Sequence, residues 1–153
     1  MPTHYQGDSK SVLALDTFIK FTRAANAVEN RLFQQDLLEG LTPSQFGVLE
    51  TIYHLGPMRQ GEVSSKLLRS TGNMTLVLDN LEARSLVRRE RNPEDRRSLT
   101  IHLTETGEKM IQRIFPLMAA AITAEFDVLS AEEQSTLGNL TRKLGKKERL
   151  LVS

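Results

Sequence analysis

The sequence predicts a mainly α-helical fold carrying a small β-wing of two or three strands. The wing belongs to a winged helix-turn-helix, flanked by N- and C-terminal helices that form a dimerisation region. Three observations predict it. Apolar residues recur at helical spacing through most of the chain. After Ser85 the period changes to two, on either side of the turn-forming run Asn92-Pro93-Glu94-Asp95. Positive charge gathers in this middle part: Arg59 to Arg97 holds nine Lys or Arg against six Asp or Glu, net +3, whereas the 153-residue chain is only +1.

Taken in order, the polar segment Met1 to Ser9 is expected to fray. From Ser11 to Leu38 the series Ala14, Phe18, Phe21, Ala25, Val28 and Leu32 steps by four and three, which predicts one long amphipathic helix stopped by Gly40. Thr42 then caps a second helix, with Pro43 at its first position and Gln45 closing a capping box. Leu41 and Phe46 supply the hydrophobic staple. Its buried face is Phe46, Leu49, Ile52 and Tyr53, and Gly56-Pro57 ends it. A short helix is expected from Gly61 to Leu68, with Val63 and Leu67 inward. Another, capped by Ser70, runs from Thr71 to Arg84 with Met74, Val77, Leu78 and Leu81 inward.

Val87, Arg89 and Arg91 alternate with Arg88 and Glu90, and Leu99, Ile101 and Leu103 alternate with Thr100 and His102, giving the two strands of a hairpin. Thr104 caps a long helix with the stripe Ile111, Phe115, Met118, Ile122 and Phe126, and a bend is expected at Pro116. Ser130 and Glu133 open a last helix through a second capping box, with Leu137, Leu140 and Leu144 on one face and a basic end from Arg142 to Arg149. In sum, residues 41–103 form the winged unit, and the helices of 11–38 and 104–150 are free to pair two copies.

Composition narrows the chemistry. Absence of cysteine excludes a disulfide scaffold, a thiolate metal cluster and thiol redox sensing. His4, His54 and His102 stand at no metal-ligand spacing, so neither a metal nor another cofactor is expected. No apolar run approaches membrane-spanning length and no signal-peptide core is present, from which a cytoplasmic protein is expected. No Ser/His/acid constellation or glycine-rich phosphate cradle is found, which argues against an enzyme. Arg88 to Arg97 contains no aromatic residue, which argues against single-strand or RNA binding.

A helix-turn-helix beside a basic hairpin suits double-stranded DNA. The candidates for the major groove are Thr71, Gly72, Asn73, Thr75 and Leu76. Asn73 can donate and accept at an adenine edge, Thr75 offers a hydroxyl and a methyl, and Gly72 permits close approach. Arg88, Arg91, Arg96 and Arg97 are candidates for phosphate and minor-groove contact. Asp95 cannot help by charge, and its expected role is to orient an arginine within the turn.

The motifs Gln60-Gly61-Glu62-Val63, Ser70 to Thr75, Leu81-Glu82, Leu86 to Arg89, Asn92 to Arg97 and Leu103-Thr104-Glu105-Thr106-Gly107 resemble those of the MarR family of bacterial winged-helix regulators. Asp95-Arg96-Arg97 matches the family's Asp-x-Arg wing, and Leu103 to Gly107 its Leu-Thr-x-x-Gly junction. The resemblance implies a homodimer, joined by its first and last two helices, that binds a palindromic DNA operator, usually as a repressor. It also implies release by a small phenolic or other aromatic ligand held between the dimerisation helices and the DNA-reading unit. Phe18, Phe21, Phe46, Tyr53, His54 and Phe115 are the pocket candidates. The family's peroxide-sensing branch needs a cysteine that this chain lacks. Two alternatives stay open: a constitutive DNA-binding regulator without a ligand, and a winged helix that docks an acidic protein.

Overall fold

The first helix, α1 (Ser9–Phe33), begins where Asp8 turns its carboxylate back onto the Ser11 N–H, 2.9 Å away. In this computed structural model, which describes residues 2–67 and 71–146, α1 ends five residues before the predicted Leu38. The backbone from Gln34 to Gly40 instead turns twice through the left-handed region, at Asp36 and at Glu39-Gly40. That path lets Leu38 and Leu41 reach the core, which a continued helix would not. Glu39 is tied to Arg113 through two bonds of 2.8 Å, and the guanidinium holds its carboxyl below the usual range.

Helix α2 (Pro43–Leu55) starts as its sequence dictates. Thr42 Oγ1 accepts from the Gln45 N–H, and Gln45 Oε1 accepts from the Thr42 N–H, a complete capping box. Its buried face is Gln45, Phe46, Val48, Leu49 and Ile52. Tyr53, expected inward, is 36% exposed, and Val48 takes the core position instead. Gly56, at φ 87°, closes the helix in a conformation that a β-carbon would strain.

The third strand of the sheet is supplied by β1 (Met58–Arg59), which leads directly into α3 (Gln60–Leu67). Val63 and Ser64 of α3 are buried; Leu67 is only half-buried. Helix α4 (Thr71–Ala83) buries Met74, Leu78 and Leu81 completely. The predicted Ser70 cap lies outside the described residues, as does the basic run beyond Lys146. The hairpin is β2 (Val87–Arg91) and β3 (Leu99–Leu103), antiparallel with Val87 opposite Leu103 and Arg91 opposite Leu99. β1 pairs antiparallel with the other side of β3, Met58 opposite Ile101, so the strand order is β1-β3-β2.

Helix α5 (Glu105–Phe126) includes Pro116, and α6 (Ala131–Gly145) opens with the predicted Ser130–Glu133 capping box. The chain divides into two compact units, Met1–Met118 and Ala119–Ser153. In the first, Met110, Ile111, Ile114 and Met118 of α5 join the core. In the second, no described residue of α6 is buried, and Leu140 and Leu144 are 60% and 59% exposed. Among the described residues no single helix is long and apolar enough to cross a membrane.

The junction between wing and α5 explains the Leu-Thr-x-x-Gly motif. Thr104 donates its N–H to Leu86 O and its hydroxyl to Ser85 O, and its oxygen also accepts from the Gly107 N–H. These bonds draw the first turn of α5 against the α4–β2 connection so closely that a β-carbon at Gly107 would lie 2.0 Å from Leu86 O. The obstacle is backbone and cannot swing aside. Gly107→Ala should therefore lower stability by about 1–3 kcal/mol, as overpacking does. Denaturation at fixed protein concentration tests this, and an unchanged midpoint would contradict the close approach.

Candidate nucleic-acid interface

Helix α4 buries its apolar stripe, and the opposite side is what it offers outward. Asn73, Thr75 and Leu76 are exposed there, Leu76 to 61%. Thr71 and Gly72 occupy the first two helical positions, and their side chains lie outside the described residues. Leu76 is an exposed apolar side chain on an otherwise polar helix surface, and a thymine methyl is a suitable partner for one. Thr75 Oγ1 accepts a bond from Gln60 Nε2 at the start of α3, 3.0 Å long, so the two helices of the helix-turn-helix are linked across their outer surface.

The wing is fastened to α4 by Arg89. Its Nη2 donates to Asp79 at 2.5 Å, its Nε to Glu82 at 3.2 Å, and its backbone N–H also to Glu82 at 3.2 Å. The Glu82 bond first, and then the Asp79 bond, hold this guanidinium more firmly protonated than usual. Pattern reading gave Arg89 no role. The available signal was that it shares the strand face of buried Val87, which turns it toward the helix that carries two acids three residues apart.

At the wing tip, Asn92 Oδ1 accepts from the Glu94 N–H at 3.0 Å and Asp95 Oδ1 from the Arg97 N–H at 3.1 Å. Asn92 N–H to Ser98 O and Ser98 N–H to Asp95 O close the loop. Asp95 thus fixes the main chain of an arginine rather than its guanidinium. Arg91, Arg96 and Arg97 are exposed and form no ion pair among the described residues. Arg88 differs, since Glu90 on the same strand already pairs with it. An open cleft of about 570 Å³ separates the wing from the start of α3, with Arg59 and Gln60 on one wall and Arg97 on the other.

Across the strands from Arg88 stands His102, 3.2 Å from Glu90. That carboxylate alone would favour the imidazolium. Burial and the neighbouring Arg88 cation outweigh it, because Arg88 already engages Glu90, and the imidazole is held below its ordinary range.

The aromatic candidates do not assemble as one cluster. Tyr53 and His54 meet edge to face at 5.1 Å, and His54 and Phe115 at 4.6 Å. Phe46 is a core residue, 7% exposed, while Phe18 and Phe21 lie on α1 at 62% and 42% exposure. Among the described residues no ring contact joins these three to the others. No group of three or more His, Asp or Glu is placed to hold a metal ion among the described residues.

The MarR family profile matches residues 41–99, the stretch from the cap of α2 to the start of β3. The HTH-type transcriptional regulator YkoM of Bacillus subtilis is 36% identical over 132 residues, covering 86% of each chain. The chain belongs to the MarR family. It is a DNA-binding transcriptional regulator. The fold agrees: Sco3205, a MarR-family regulator from Streptomyces coelicolor solved in complex with DNA, superimposes with a TM-score of 0.82 at 22% identity, over 94% of this chain and 91% of its own. NadR, solved with 4-hydroxyphenylacetate, superimposes with a TM-score of 0.73 at 23% identity, over 97% of this chain and 100% of its own.

Two outcomes follow for this MarR chain. Arg89→Met leaves Asp79 and Glu82 without their cation. Both acids are about half exposed, so the loss should be screened to roughly 1 kcal/mol, and molar salt should narrow it further. Urea titrations at low and high salt measure it. His102 binds its proton less readily folded than unfolded, where the reference is 6.5. Well above that pH both states are neutral and nothing is lost; as pH falls through 6.5 and below, the unfolded state takes up the proton first and stability declines. His102→Gln should make the decline between pH 7.5 and 5 shallower, and parallel curves for the two proteins would refute the assignment.

Proposed function

We propose that this MarR regulator is a homodimeric repressor. Residues 41–103 of each protomer bind half of a palindromic operator, helices within 11–38 and 104–150 join the protomers, and a small aromatic or phenolic ligand releases the DNA. The observation that carries the reading is the joint presentation of α4 and the wing. Asn73, Thr75 and Leu76 face outward on a helix that Arg89 ties to a hairpin whose tip offers Arg96 and Arg97. The N-terminal half of α4 enters the major groove, and the wing arginines meet phosphate and the adjacent minor groove.

Pairing is supported by apolar side chains that the single chain leaves uncovered. Phe18 and Leu13 of α1 are 62% and 68% exposed, and α6 separately exposes Leu140 and Leu144. A symmetric partner covers such stripes and places two readers on half-sites about one helical turn apart, roughly 34–36 Å. Ligand release is supported by the edge-packed rings of Tyr53, His54 and Phe115, which join α2 to α5 and suit an aromatic guest. It is also supported by NadR, a fold relative that binds 4-hydroxyphenylacetate.

The test is selection of bound duplexes from a random pool, followed by competition with aromatic acids, 4-hydroxyphenylacetate among them. A palindrome should emerge. Asn73→Ala should cost about 1–3 kcal/mol at one base pair of each half-site. Arg97→Ala should instead weaken all duplexes alike and reduce the salt slope by about one unit per protomer. Phe115→Ala should blunt release by the aromatic acid and leave ligand-free affinity unchanged. A monomer without duplex preference in dilute salt would refute the reading. A dimer that binds its palindrome regardless of any aromatic acid would leave a constitutive regulator.

A further inference from the structure

Thr75 stands in the second turn of α4 with its side chain exposed, and it carries two groups that could meet a base edge, a hydroxyl and a methyl. A threonine within a helix divides between two χ1 rotamers, because its hydroxyl can bond to an earlier carbonyl from either. A partner outside the helix selects one of them. Here that partner is Gln60, fifteen residues earlier at the start of α3, whose Nε2 donates to Thr75 Oγ1 at 3.0 Å. Gln60 is itself half-buried in the wall of the cleft that faces Arg97. Gln60 engages Oγ1 from outside the helix, and the methyl is the group of this side chain suited to an apolar substituent on a base. Thymine is the base that presents a methyl group in the major groove, and a methyl-to-methyl contact needs no donor or acceptor.

We propose that Thr75 reads thymine through its methyl group, and that Gln60 is the positioning residue that holds Thr75 in the required rotamer. The proposal rests on the reading above that α4 enters the major groove. It assigns the hydroxyl an internal duty, and it gives base selectivity to a residue of the first helix-turn-helix helix that touches no base.

The experiment replaces thymines of the selected operator, one position at a time in both half-sites, by deoxyuridine, which lacks only the C5 methyl. Kd is measured for the full-length wild type, Thr75→Val, Thr75→Ser, Gln60→Met and Asn73→Ala, with melting temperatures as the check on folding. In the wild type one position should lose about fourfold per half-site, the worth of one buried methyl. Thr75→Val should keep that penalty, since valine in a helix is locked by its own branching. Thr75→Ser and Gln60→Met should lose it. Gln60→Met placed on the Thr75→Val background should change nothing, an epistasis that a merely structural Gln60 would not show; Gln60→Ala replaces Gln60→Met if the latter melts early.

A penalty kept by Thr75→Ser or lost by Thr75→Val would mean that another group meets the thymine methyl, and the proposal would fall. A penalty that survives Gln60→Met would remove the positioning role. If Asn73→Ala alters base preference while the Thr75 variants treat every deoxyuridine as the wild type does, the thymine assignment fails and the groove placement stands. If neither Asn73 nor Thr75 variants alter base preference, the groove placement fails as well.

Discussion

A single guanidinium laid across two carboxylates sets the working geometry of this protein. Arg89 reaches from β2 to Asp79 and Glu82 of α4, and the Leu86–Thr104–Gly107 contact locks the other end of the same connection to α5. Neither interaction adds much to the free energy of folding, since exposed ion pairs are weak and hydrogen bonds replace those made to water. Their effect is on shape. They remove the hinge that a helix followed by a hairpin would otherwise have, so α4 and the wing are already spaced before any partner is met. The ordering cost is met when the chain folds rather than when it binds.

The same acids divide the basic residues into two groups with different work. Composition shows only a net surplus of positive charge between Arg59 and Arg97. The structure shows that Arg88 and Arg89 are neutralised locally by Glu90, Asp79 and Glu82, while Arg91, Arg96 and Arg97 keep their charge outward. Within the wing, the arginines without a local acid partner among the described residues therefore lie at its far end rather than along it. His102 belongs with the neutralised group, since its burial first and then the Arg88 cation beside it resist a further positive charge there.

Much of this was legible in the residues because the signals were local. The two capping boxes, the change of period after Ser85 and the turn at Asn92 to Asp95 each depend on neighbours within a few positions. What periodicity could not supply were contacts made across the fold. The strand Met58–Arg59 is two residues long and exists only because β3 pairs with it. The end of α1 moved to Phe33 because Leu38 and Leu41 are needed in the core, and Val48 displaced Tyr53 for the same reason. Gln60 and Arg89 gained their roles from partners seven to fifteen residues away on another element. The family was readable from the motif run between Leu41 and Gly107; the internal bonds that make those motifs function were not.

The wing turn has one more implication, and it lies in how its loop is held. Asn92 and Asp95 secure main-chain N–H groups, so the curve of the loop is indifferent to the identity of the side chains at positions 96 and 97. Charge at the tip is consequently a variable that can drift without unmaking the scaffold. If the proposed reading holds and this tip grips promoters, descendants could strengthen or relax their hold by exchanging those two side chains, while the choice of promoter stayed with α4.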